Sequence, residues 1–511
     1  MLNLFMQNFR VKTTLTSVVI FSLSAFGISM TAQATTVVTV GTNFRGTSRS
    51  QSDLFFYPPD TMGAVGPNHI VELINGSYAV YNKSGSVLSR ISLNQFWQNA
   101  GATPAGSYAF DPRVNYDPFS NRWFAASVDN TGGINNFLVA VSKSSNPLDG
   151  WNGYAIPSDT PANSRWADFD TLGFNGQSVT LSANMYPISS DPVTTTILTF
   201  DKAQLIAGNP NARTIFPNNN PGDTGFTVQP VVDLDNRNNP HPLLSGYNTL
   251  AGQFKRSDIT GNPAAATLST TGGLISVTPD GEPLTARQPG GPNNVDTGDL
   301  GFSSNVVYQL DSLGSNSFWG VQTVKSPVSG ASSALRWFEI DANTNLLRQE
   351  GLIYDPTGQE DYYYGSLAVN DHRQVIIGFS CSGPNLFISS CAVVGEDSGG
   401  TTTFGNRLLL KQGAASYEIL SGGFNRWGDY SATVLDPSDP TGRTFWTFQE
   451  FAAGSTEWST QITEIKLSQV NVPESSSVFS LLALGTLGAA STLKCKLKSS
   501  QSSEKETTKV G

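Results

Sequence analysis

The clearest sign of the fold is Val114-Asn115-Tyr116-Asp117-Pro118-Phe119-Ser120-Asn121-Arg122-Trp123-Phe124. Its centre has the residue types of a tight turn, because Asp and Asn side chains bond nearby amides and proline fixes φ. A strongly apolar segment that includes Trp123 and Phe124 follows the turn. The stretch therefore predicts a β-hairpin whose second strand is buried.

The same layout of turn and apolar strand recurs along the chain, at residues 63–73, 172–181, 367–377 and 433–448. Where the hairpins are clearest they repeat roughly every 50–70 residues, a spacing that fits four-stranded blades around an axis. We predict an all-β chain that forms a β-propeller of seven blades, with six blades as the runner-up and a two-domain β-sandwich as a further option. The predicted blades are 60–92, 110–157, 166–205, 225–260, 299–350, 360–411 and 425–467.

Composition narrows the classes of partner. The 511-residue chain has a net charge of −10, and its two predicted sorting signals each carry +2, which leaves −14 for the body. Such an acidic body argues against nucleic acid and anionic lipid as partners, and it suits cations or neutral polysaccharide. Helical periodicity is almost absent, whereas Gly, Pro, Ser, Thr and Asn are abundant, as in a turn-rich β protein.

Two features of the body fall outside the hairpin pattern. Gly261 to Asp299 is rich in Gly, Pro and Thr, and we predict an excursion between two blades there. Cys381 and Cys391 flank a turn signal, Ser-Gly-Pro-Asn, so in an exported protein they are candidates for a disulfide across neighbouring strands. Two free buried thiols are the alternative, and Cys495 lies apart in the tail.

Several short segments resemble those of secreted propellers. Ser144-Ser145-Asn146-Pro147-Leu148-Asp149-Gly150-Trp151 resembles a degenerate Asp-box turn of sialidase-like propellers. That resemblance implies that Asp149 bonds turn amides and that Trp151 packs between sheets. Residues 58–66 and 426–431 look like those of uncharacterised secreted bacterial propellers, which implies an architecture without an assigned reaction.

The N-terminus predicts export. Arg10 and Lys12 precede an apolar region from about residue 15 to residue 30, and Ala32-Gln33-Ala34 fits a small-x-small cleavage site. We predict a signal peptide over 1–34 and a mature start at Thr35. An uncleaved membrane anchor is the alternative.

The C-terminus predicts sorting at a membrane. Val472-Pro473-Glu474 precedes an uncharged apolar run over 478–493, which the basic cluster Lys494–Lys498 follows. A helix over this run nearly spans a bilayer core of about 30 Å, and the lysines would hold its end on the cytoplasmic side. The arrangement resembles the PEP-CTERM sorting signal of Gram-negative bacteria. That resemblance implies an exosortase-like enzyme that cuts near Pro473-Glu474, and a link with exopolysaccharide.

These segments give a domain organisation for the whole chain. In order it comprises a signal peptide (1–34), an N-terminal lead-in strand (35–59), the β-propeller (60–471), a PEP-CTERM-like sorting signal (472–498) with its transmembrane segment (478–493), and a polar tail (499–511).

A ligand site is expected where the innermost strands of the propeller begin, because polar side chains gather at the predicted blade starts. The candidate residues are Asp60, Asp111, Arg113, Trp166, Asp168, Arg426, Asp429 and Tyr430. Further polar residues at these starts are Arg165, Asp170, Glu360, Asp361 and the tyrosines 362–364. Carboxylates beside aromatic rings suit a cation or stacked sugar rings.

Three interpretations of these aspartates compete. In the first, Asp60, Asp111, Asp168 and Asp429 form a hydrogen-bonding ring that ties adjacent blades. In the second, some of them bind Ca²⁺, although no continuous calcium loop is visible. In the third, two carboxyl groups hydrolyse a glycosidic bond. A sialidase-type mechanism would want three arginines and a tyrosine; Arg113, Arg165, Arg426 and Tyr430 exist, but their spacing matches no motif.

The sequence assigns no catalytic residues, no metal ligands and no cofactor, with Ca²⁺ left open. We therefore expect an exported surface or matrix protein that binds polysaccharide or a protein partner through the propeller face. The export machinery and an exosortase-like enzyme are its expected processing partners. The alternatives are an extracellular glycoside hydrolase or lyase that uses axial carboxylates, and a structural surface component that self-associates.

Overall fold

The computed structural model describes residues 33–472 except 107, 132, 134, 160–163 and 272. Almost all regular structure in this part of the chain is β-strand, so the all-β prediction is confirmed. One compact unit comprises Val38–Ser468. The described ends outside that unit, 33–37 and 469–472, are extended.

The strands follow one another in antiparallel order, joined mostly by short turns. Those of the first half are β1 (Gln33–Ser48), β2 (Met62–Val65), β3 (His69–Ile74), β4 (Ser77–Asn82), β5 (Val87–Ile91), β6 (Ala109–Asp117), β7 (Arg122–Asp129), β8 (Asn136–Ser142), β9 (Trp151–Pro157), β10 (Arg165–Phe174), β11 (Ser178–Pro187), β12 (Thr194–Asp201) and β13 (Arg213–Asn219). The middle of the chain contributes β14 (Phe226–Pro230), β15 (Val232–Asp233), β16 (His241–Asn248), β17 (Gln253–Thr260), β18 (Thr267–Ser269), β19 (Leu274–Ser276), β20 (Val307–Leu310), β21 (Asn316–Lys325), β22 (Ser333–Asp341) and β23 (Leu347–Ile353).

The last part of the described chain is equally rich in strands. They are β24 (Asp361–Val369), β25 (Val375–Gly383), β26 (Leu386–Ser398), β27 (Thr401–Phe404), β28 (Leu408–Lys411), β29 (Leu420–Ser421), β30 (Phe424–Asn425), β31 (Ala432–Leu435), β32 (Thr444–Gly454) and β33 (Glu457–Val472). The short helices are α1 (Leu93–Ala100), α2 (Lys202–Ile206) and α3 (Pro221–Thr224), with 3₁₀ turns at Arg49–Gln51, Asp53–Phe55, Pro147–Asp149, Thr249–Ala251 and Pro263–Ala265.

Five separate sheets of four or five strands form blades of a β-propeller. They are β2–β5, β6–β9, β14-β16-β17-β18 with β19, β24–β27 with β28, and β31-β32-β33-β1. A nine-stranded sheet contains two more antiparallel meanders, β10–β13 and β20–β23. The short strand β15 joins these meanders, because Val232 pairs in parallel with Phe174 on one side and with Val307 on the other.

The N-terminal strand completes the blade that the last strands of the chain begin. Strand β1 lies beside β33 in the sheet order, although the two strands come from opposite ends of the described chain. The amide of Thr47 donates to the hydroxyl of Thr460 over 2.9 Å. Such closure pairs the edge of the first strand and resists opening of the ring.

The hairpin that predicted the fold is formed by β6 and β7. Asn115 pairs with Phe124 and Tyr116 pairs with Trp123. Within the turn, Asp117 Oδ1 accepts from the amide of Phe119 at 3.0 Å. Asn121 adopts a left-handed conformation with φ of 52°, which Asn tolerates better than most residues. The local turn chemistry thus determines the register of this blade.

Large aromatic side chains fill the space within and between blades. Five tryptophans of the strands are buried, namely Trp123, Trp319, Trp337, Trp446 and Trp458. Trp151, from the Asp-box-like segment, packs edge-on to the rings of Tyr78 and Phe96. The packing of Trp151 matches the expectation.

The turn chemistry of the Asp-box-like segment differs from the expectation. Asp149 accepts hydrogen bonds from the side chains of Ser144 and Asn146, and Asn146 rather than Asp149 caps the amide of Leu148. The physical reason is that Asn146 stands directly before the 3₁₀ turn, where its oxygen reaches the first free amides.

Two predictions about the second half of the body have different outcomes. Cys381 and Cys391 form the proposed disulfide between β25 and β26. The excursion begins later than Gly261, because β18 and β19 still pair with β17 in the blade sheet. Residues 277–306 then run without regular strands, and two bridges hold them: Ala286 to Val295, and Val295 to Asn425.

The predicted membrane segments lie outside the described residues, as does the predicted signal peptide apart from its last two residues. Over 33–472, apart from the eight residues named above, no helix has the length and apolar character needed to cross a membrane. The signal peptide, the span 478–493 and the PEP-CTERM-like signal therefore stay predictions.

Candidate functional site

Two cavities lie at opposite ends of the innermost strands. Strand β6, for example, begins at one cavity with Phe110 and Asp111 and ends at the other with Asn115 and Tyr116. The cavity at the strand starts has a volume of about 600 Å³. We name it the acidic pocket after the carboxyl groups that line it, those of Asp60, Asp111, Asp168, Asp296, Asp299 and Asp429.

The other cavity, which we name the turn-side pocket, has a volume of about 910 Å³. It is lined by the ends of the innermost strands and by the hairpin turns that follow them. Its walls include Val65, Phe119, Asp235, Leu310, Asp371 and Asp436.

A bulge at the start of several innermost strands shapes the acidic pocket. Asp111, Phe169, Thr227 and Tyr364 all have φ between 50° and 53°, in the left-handed region that side chains other than glycine rarely adopt. The pairing registers of β6, β10, β14 and β24 shift at these positions. Such bulges change which side chains face inward, and they often lie next to active sites.

Side chains satisfy the amides that the bulges remove from the strand pairing. The amide of Asp111 donates to Asn75 of the preceding blade at 2.9 Å, and the amide of Phe169 donates to Asp111 at 2.8 Å. The amide of Tyr364 donates in the same way to Thr323 at 3.0 Å. Asp111 therefore ties two blades, as the first of the three sequence interpretations expected.

Six of the eight predicted site residues do line one pocket. They are Asp60, Asp111, Trp166, Asp168, Arg426 and Asp429. These residues come from segments up to about 370 positions apart, so their convergence follows from the circular order of the blades.

Arg113 and Tyr430 were wrongly placed at the mouth. Both are buried, and the guanidinium carbon of Arg113 lies 3.4 Å from the centroid of the Tyr430 ring. Arg113 Nε donates to the carbonyl oxygen of Asp170 at 2.7 Å. The pairing register of β6 shifts between Phe110 and Arg113, so the side chains of Asp111 and Arg113 do not keep the regular alternation of a strand.

Most of the secondary candidates also lie away from the acidic pocket. Arg165 donates to the carbonyl oxygens of Met185 and Pro192, and Glu360 pairs with Arg407. Asp361 is buried and pairs with Arg287. Of the tyrosines 362–364, only Tyr364 lines the pocket.

The carboxyl group of Asp111 lies within hydrogen-bonding reach of those of Asp60 and Asp168. Burial raises the pKa of Asp60 and of Asp168 well above the ordinary value, and the charges of Asp111 and Asp429 raise both further. Two carboxyl groups bond each other only when one holds a proton, so these contacts also favour the protonated forms of Asp60 and Asp168.

Asp429 forms the opposite wall together with an arginine. Burial raises the pKa of Asp429 to about 7, while the Arg426 guanidinium acts to lower it and the charges of Asp111 and Asp296 act to raise it. Arg426 Nη2 lies 2.6 Å from Asp429 Oδ2, and Arg426 Nη1 lies 2.6 Å from Asp296 Oδ2. The hydroxyl of Tyr364 donates to Asp429 Oδ1 over a long 3.5 Å.

Aromatic rings line the rest of the pocket. Trp166 and Tyr186 form a tilted pair with centroids 5.6 Å apart, and Phe110 lies 6.5 Å from Trp166. At the rim, Tyr57 and Phe424 keep 40% and 55% of their surface exposed, which leaves flat apolar faces in contact with solvent.

Sequence reasoning missed several of the lining residues. Asp296 and Asp299 belong to the excursion, which was treated only as a connection, and Tyr186 ends β11 rather than beginning a blade. The cluster Asn-Asn-Val-Asp-Thr-Gly-Asp at 293–299 was the available signal, because its polar side chains are dense for a simple linker.

The pocket lacks the arginine triad that a sialidase-type mechanism would want. Among the described residues that line it, Arg426 is the one arginine, and two carboxylates already hold its guanidinium group. Arg113 and Arg165 are both directed elsewhere. In the described part of the chain, no three His, Cys, Asp or Glu side chains are placed to hold a metal ion.

In the turn-side pocket, the aspartates bond turn amides. Asp311 Oδ1 accepts from the amides of Leu313 and Ser315 at 2.9 and 2.7 Å. Asp436 Oδ1 accepts from the amide of Ser438 at 2.9 Å, and its Oδ2 accepts from the indole of Trp446 at 3.0 Å. These carboxylates stabilise the hairpins of the innermost strands.

Comparison with known proteins finds distant likeness in structure alone. No protein family and no curated protein sequence matches the chain. Similar solved structures include a GH43 endo-arabinanase from Bacillus licheniformis, at 15% identity and a TM-score of 0.30, over 57% of this chain and 96% of that one. The native arabinanase Arb43A of Bacillus subtilis has 12% identity and a TM-score of 0.32, over 72% of this chain and 96% of that one.

A sialidase of Trypanosoma rangeli is similar at 9% identity and a TM-score of 0.35, over 83% of this chain and 59% of that one. At such low scores the likeness carries no argument about the site. The role of each residue therefore rests on the geometry of this chain.

Proposed function

We propose that the protein is an exported propeller that binds a saccharide in the acidic pocket. The observation that carries the proposal is the composition of the walls, where aromatic faces stand beside groups that bond hydroxyls. Trp166 and Tyr186 offer surfaces on which a sugar ring stacks, and the carboxyl groups of Asp111 and Asp168 accept or donate hydrogen bonds. The volume of about 600 Å³ lies within the ordinary range for pockets that bind small ligands.

The scaffold of this proposal is a propeller of seven blades. Five of them are the separate sheets, and the two meanders of the nine-stranded sheet supply the remaining two. The pairing of β15 with both meanders lies close to the axis and accounts for their joining into one sheet.

A second candidate function, glycoside hydrolysis, is supported by the pKa values in the pocket. Hydrolysis of a glycosidic bond needs one carboxyl group that donates a proton and a second that is ionised. Burial and neighbouring carboxylates raise the pKa of Asp168, so it would be the acid. Asp429, with a pKa of about 7 beside Arg426, would be the ionised partner.

We further propose that the protein acts outside the cytoplasm. The signal peptide over 1–34 and the PEP-CTERM-like tail would deliver it to the outer surface or extracellular matrix. The export machinery and an exosortase-like enzyme would be its processing partners, and the span 478–493 would hold it in the inner membrane before cleavage. A structural role through self-association is the alternative, and it predicts oligomers without any sugar ligand.

A glycan array with the full chain tests saccharide binding. Trp166→Ala should weaken binding about tenfold, because loss of a stacked aromatic ring costs about 1.4 kcal/mol. Phe119→Ala is the matched control, since this exposed ring lines the turn-side pocket. Absence of binding to every glycan, or equal losses in both variants, would contradict the proposal.

Hydrolysis needs a separate assay, which follows the release of reducing ends from each bound glycan. Asp168→Asn and Asp429→Asn should abolish the release and leave most of the binding, whereas Asp371→Asn at the turn-side pocket should change neither. Binding without release in the unaltered protein would leave saccharide binding as the function and exclude the hydrolase.

A further inference from the structure

This inference rests on the proposed function, saccharide binding in the acidic pocket. The charges of that pocket indicate which class of saccharide it binds. Six carboxyl groups line the pocket, and Arg426 is the one basic side chain among its described lining residues. Both outer nitrogens of Arg426 lie 2.6 Å from carboxylate oxygens, those of Asp296 and Asp429. A ligand carboxylate, sulfate or phosphate would therefore meet no free cation and several negative charges.

The hydrogen bonding of the buried Asp60 carboxyl group is a second observation, independent of the number of charges in the pocket. The residue is 2% exposed, and its Oδ2 accepts from the side-chain amide of Asn75 at 2.6 Å. Its Oδ1 is buried, and no N–H or O–H of the described residues donates to it. A buried acceptor without a donor is costly, and a ligand that brings N–H donors to this wall removes that cost.

The aromatic walls suit the same kind of ligand. Trp166 and Tyr186 present ring faces beside Asp168, and an ammonium group is attracted to the face of Trp or Tyr. The pocket is also electrically negative at this wall. Burial raises the pKa of Tyr186 to about 12, with further increases from the charges of Asp168, Asp299, Asp111 and Asp429.

We infer that the acidic pocket takes an amine-bearing, cationic saccharide, such as an oligomer of hexosamine units whose amino groups are not acetylated. The ammonium group lies among the carboxyl groups of Asp60, Asp111 and Asp168 and favours their ionised forms, and the sugar ring stacks on Trp166. The N-acetylated unit has no charge to place there, and a uronate carries the wrong charge.

Titration calorimetry on the full chain tests this inference with three tetrasaccharides. They are the tetramers of glucosamine, of N-acetylglucosamine and of galacturonate. The glucosamine tetramer should bind at least about tenfold more tightly than the N-acetylated one, and the galacturonate tetramer should not bind. Added salt should reduce this preference, because the attraction between ammonium and carboxylate is screened.

Substitutions in the two pockets test where the preference for glucosamine over N-acetylglucosamine arises. Asp60→Asn and Asp299→Asn should each lower the ratio of glucosamine to N-acetylglucosamine affinity, and Asp299 is exposed, so its replacement keeps the fold if that of Asp60 does not. Asp371→Asn at the turn-side pocket makes the same change in net charge and should leave the ratio unaltered. A general attraction of oligoamines to an acidic protein would instead lower the ratio equally in all three variants, and that result would overturn the inference.

The remaining outcomes separate this inference from the proposed function. Equal affinity for the charged and the acetylated tetramer, or tighter binding of galacturonate, overturns the inference and leaves saccharide binding standing. If none of the three tetramers binds and no glycan on the array binds, both the inference and the proposed saccharide binding are overturned.

Discussion

Aspartates lie at both ends of the propeller axis, but the two sets have different hydrogen-bond partners. At the turn-side pocket, Asp311 and Asp436 bond the amides of their own turns. At the acidic pocket, the carboxyl group of Asp111 contacts those of Asp60 and Asp168, and burial raises the pKa of Asp60 and Asp168. The difference shows that an aspartate in a propeller is structural when its turn supplies donors, and it is available to a ligand when other carboxyl groups surround it.

The largest effect is expected at the turn-side pocket. Asp436→Ala removes the acceptor of Lys83, Ser438 and Trp446, and it leaves the buried indole N–H of Trp446 without a partner. We expect the free energy of unfolding to fall by about 2–4 kcal/mol. Urea denaturation measures the change.

Asp371→Ala is the control for that variant, because the Asp371 carboxylate is exposed and lies 3.7 Å from His372 in a weak pair. It should change the free energy of unfolding by no more than about 0.5 kcal/mol. Equal losses in the two variants would remove the distinction between structural and available aspartates at this end.

A smaller effect of opposite sign is expected at the acidic pocket. Asp168→Asn keeps an oxygen for the amide of Phe169 and gains an N–H that can donate to Asp111. It also removes a carboxyl group that burial and its neighbours destabilise in the ionised form. We expect stability to rise by about 1 kcal/mol above neutral pH. A loss of stability comparable to that of Asp436→Ala would show that Asp168 is structural.

Asp429 of the acidic pocket and Asp439 of the turn-side pocket should make the stability depend on pH with opposite signs. The pKa of Asp429 rises from 3.8 to about 7, so the folded state binds this proton more tightly. Its stabilising contribution is complete below pH 3.8 and is lost as the pH rises through about 7. The charged and titratable groups facing Asp429 are Asp60, Asp111, Asp168, Asp296, Tyr364, Arg426 and Glu450.

Asp439, in the turn-side pocket, titrates the other way. Partial burial acts to raise the pKa of Asp439, but hydrogen bonds from Thr441, Thr444 and the Arg443 amide outweigh it and lower the pKa to about 2. The stability that Asp439 contributes is present above pH 3.8 and is lost as the pH falls toward 2.

Urea denaturation from about pH 4 to about pH 7.5 measures the contribution of Asp429, because that of Asp439 is constant above pH 3.8. Stability should fall toward the upper end of this interval, and Asp429→Asn should flatten that fall. An unaltered slope in Asp429→Asn would show that other buried carboxyl groups, such as Asp170 and Glu450, dominate the titration; burial raises the pKa of both well above the ordinary value.

Much of the fold could be predicted from the sequence because its signals are local. The turn at Asp117 and the apolar strand through Trp123 identify one hairpin, and repetition of that pattern gives a propeller. The meeting of Asp60, Asp111, Asp168 and Asp429 also followed, since innermost strands of successive blades begin at one end of the axis. The inward direction of Arg113 did not follow, because the bulge at Asp111 breaks the strict alternation of a strand.

The sequence by itself determined the all-β class, the hairpin turns and the acidic character of the body. These features depend on residue types and on spacings of a few positions. Only the tertiary structure brought Asp296 of the excursion against Arg426, 130 residues later, and placed the carboxyl group of Asp111 between those of Asp60 and Asp168. Contacts across the axis depend on how blades close into a ring and where their strands bulge, and no local pattern encodes either.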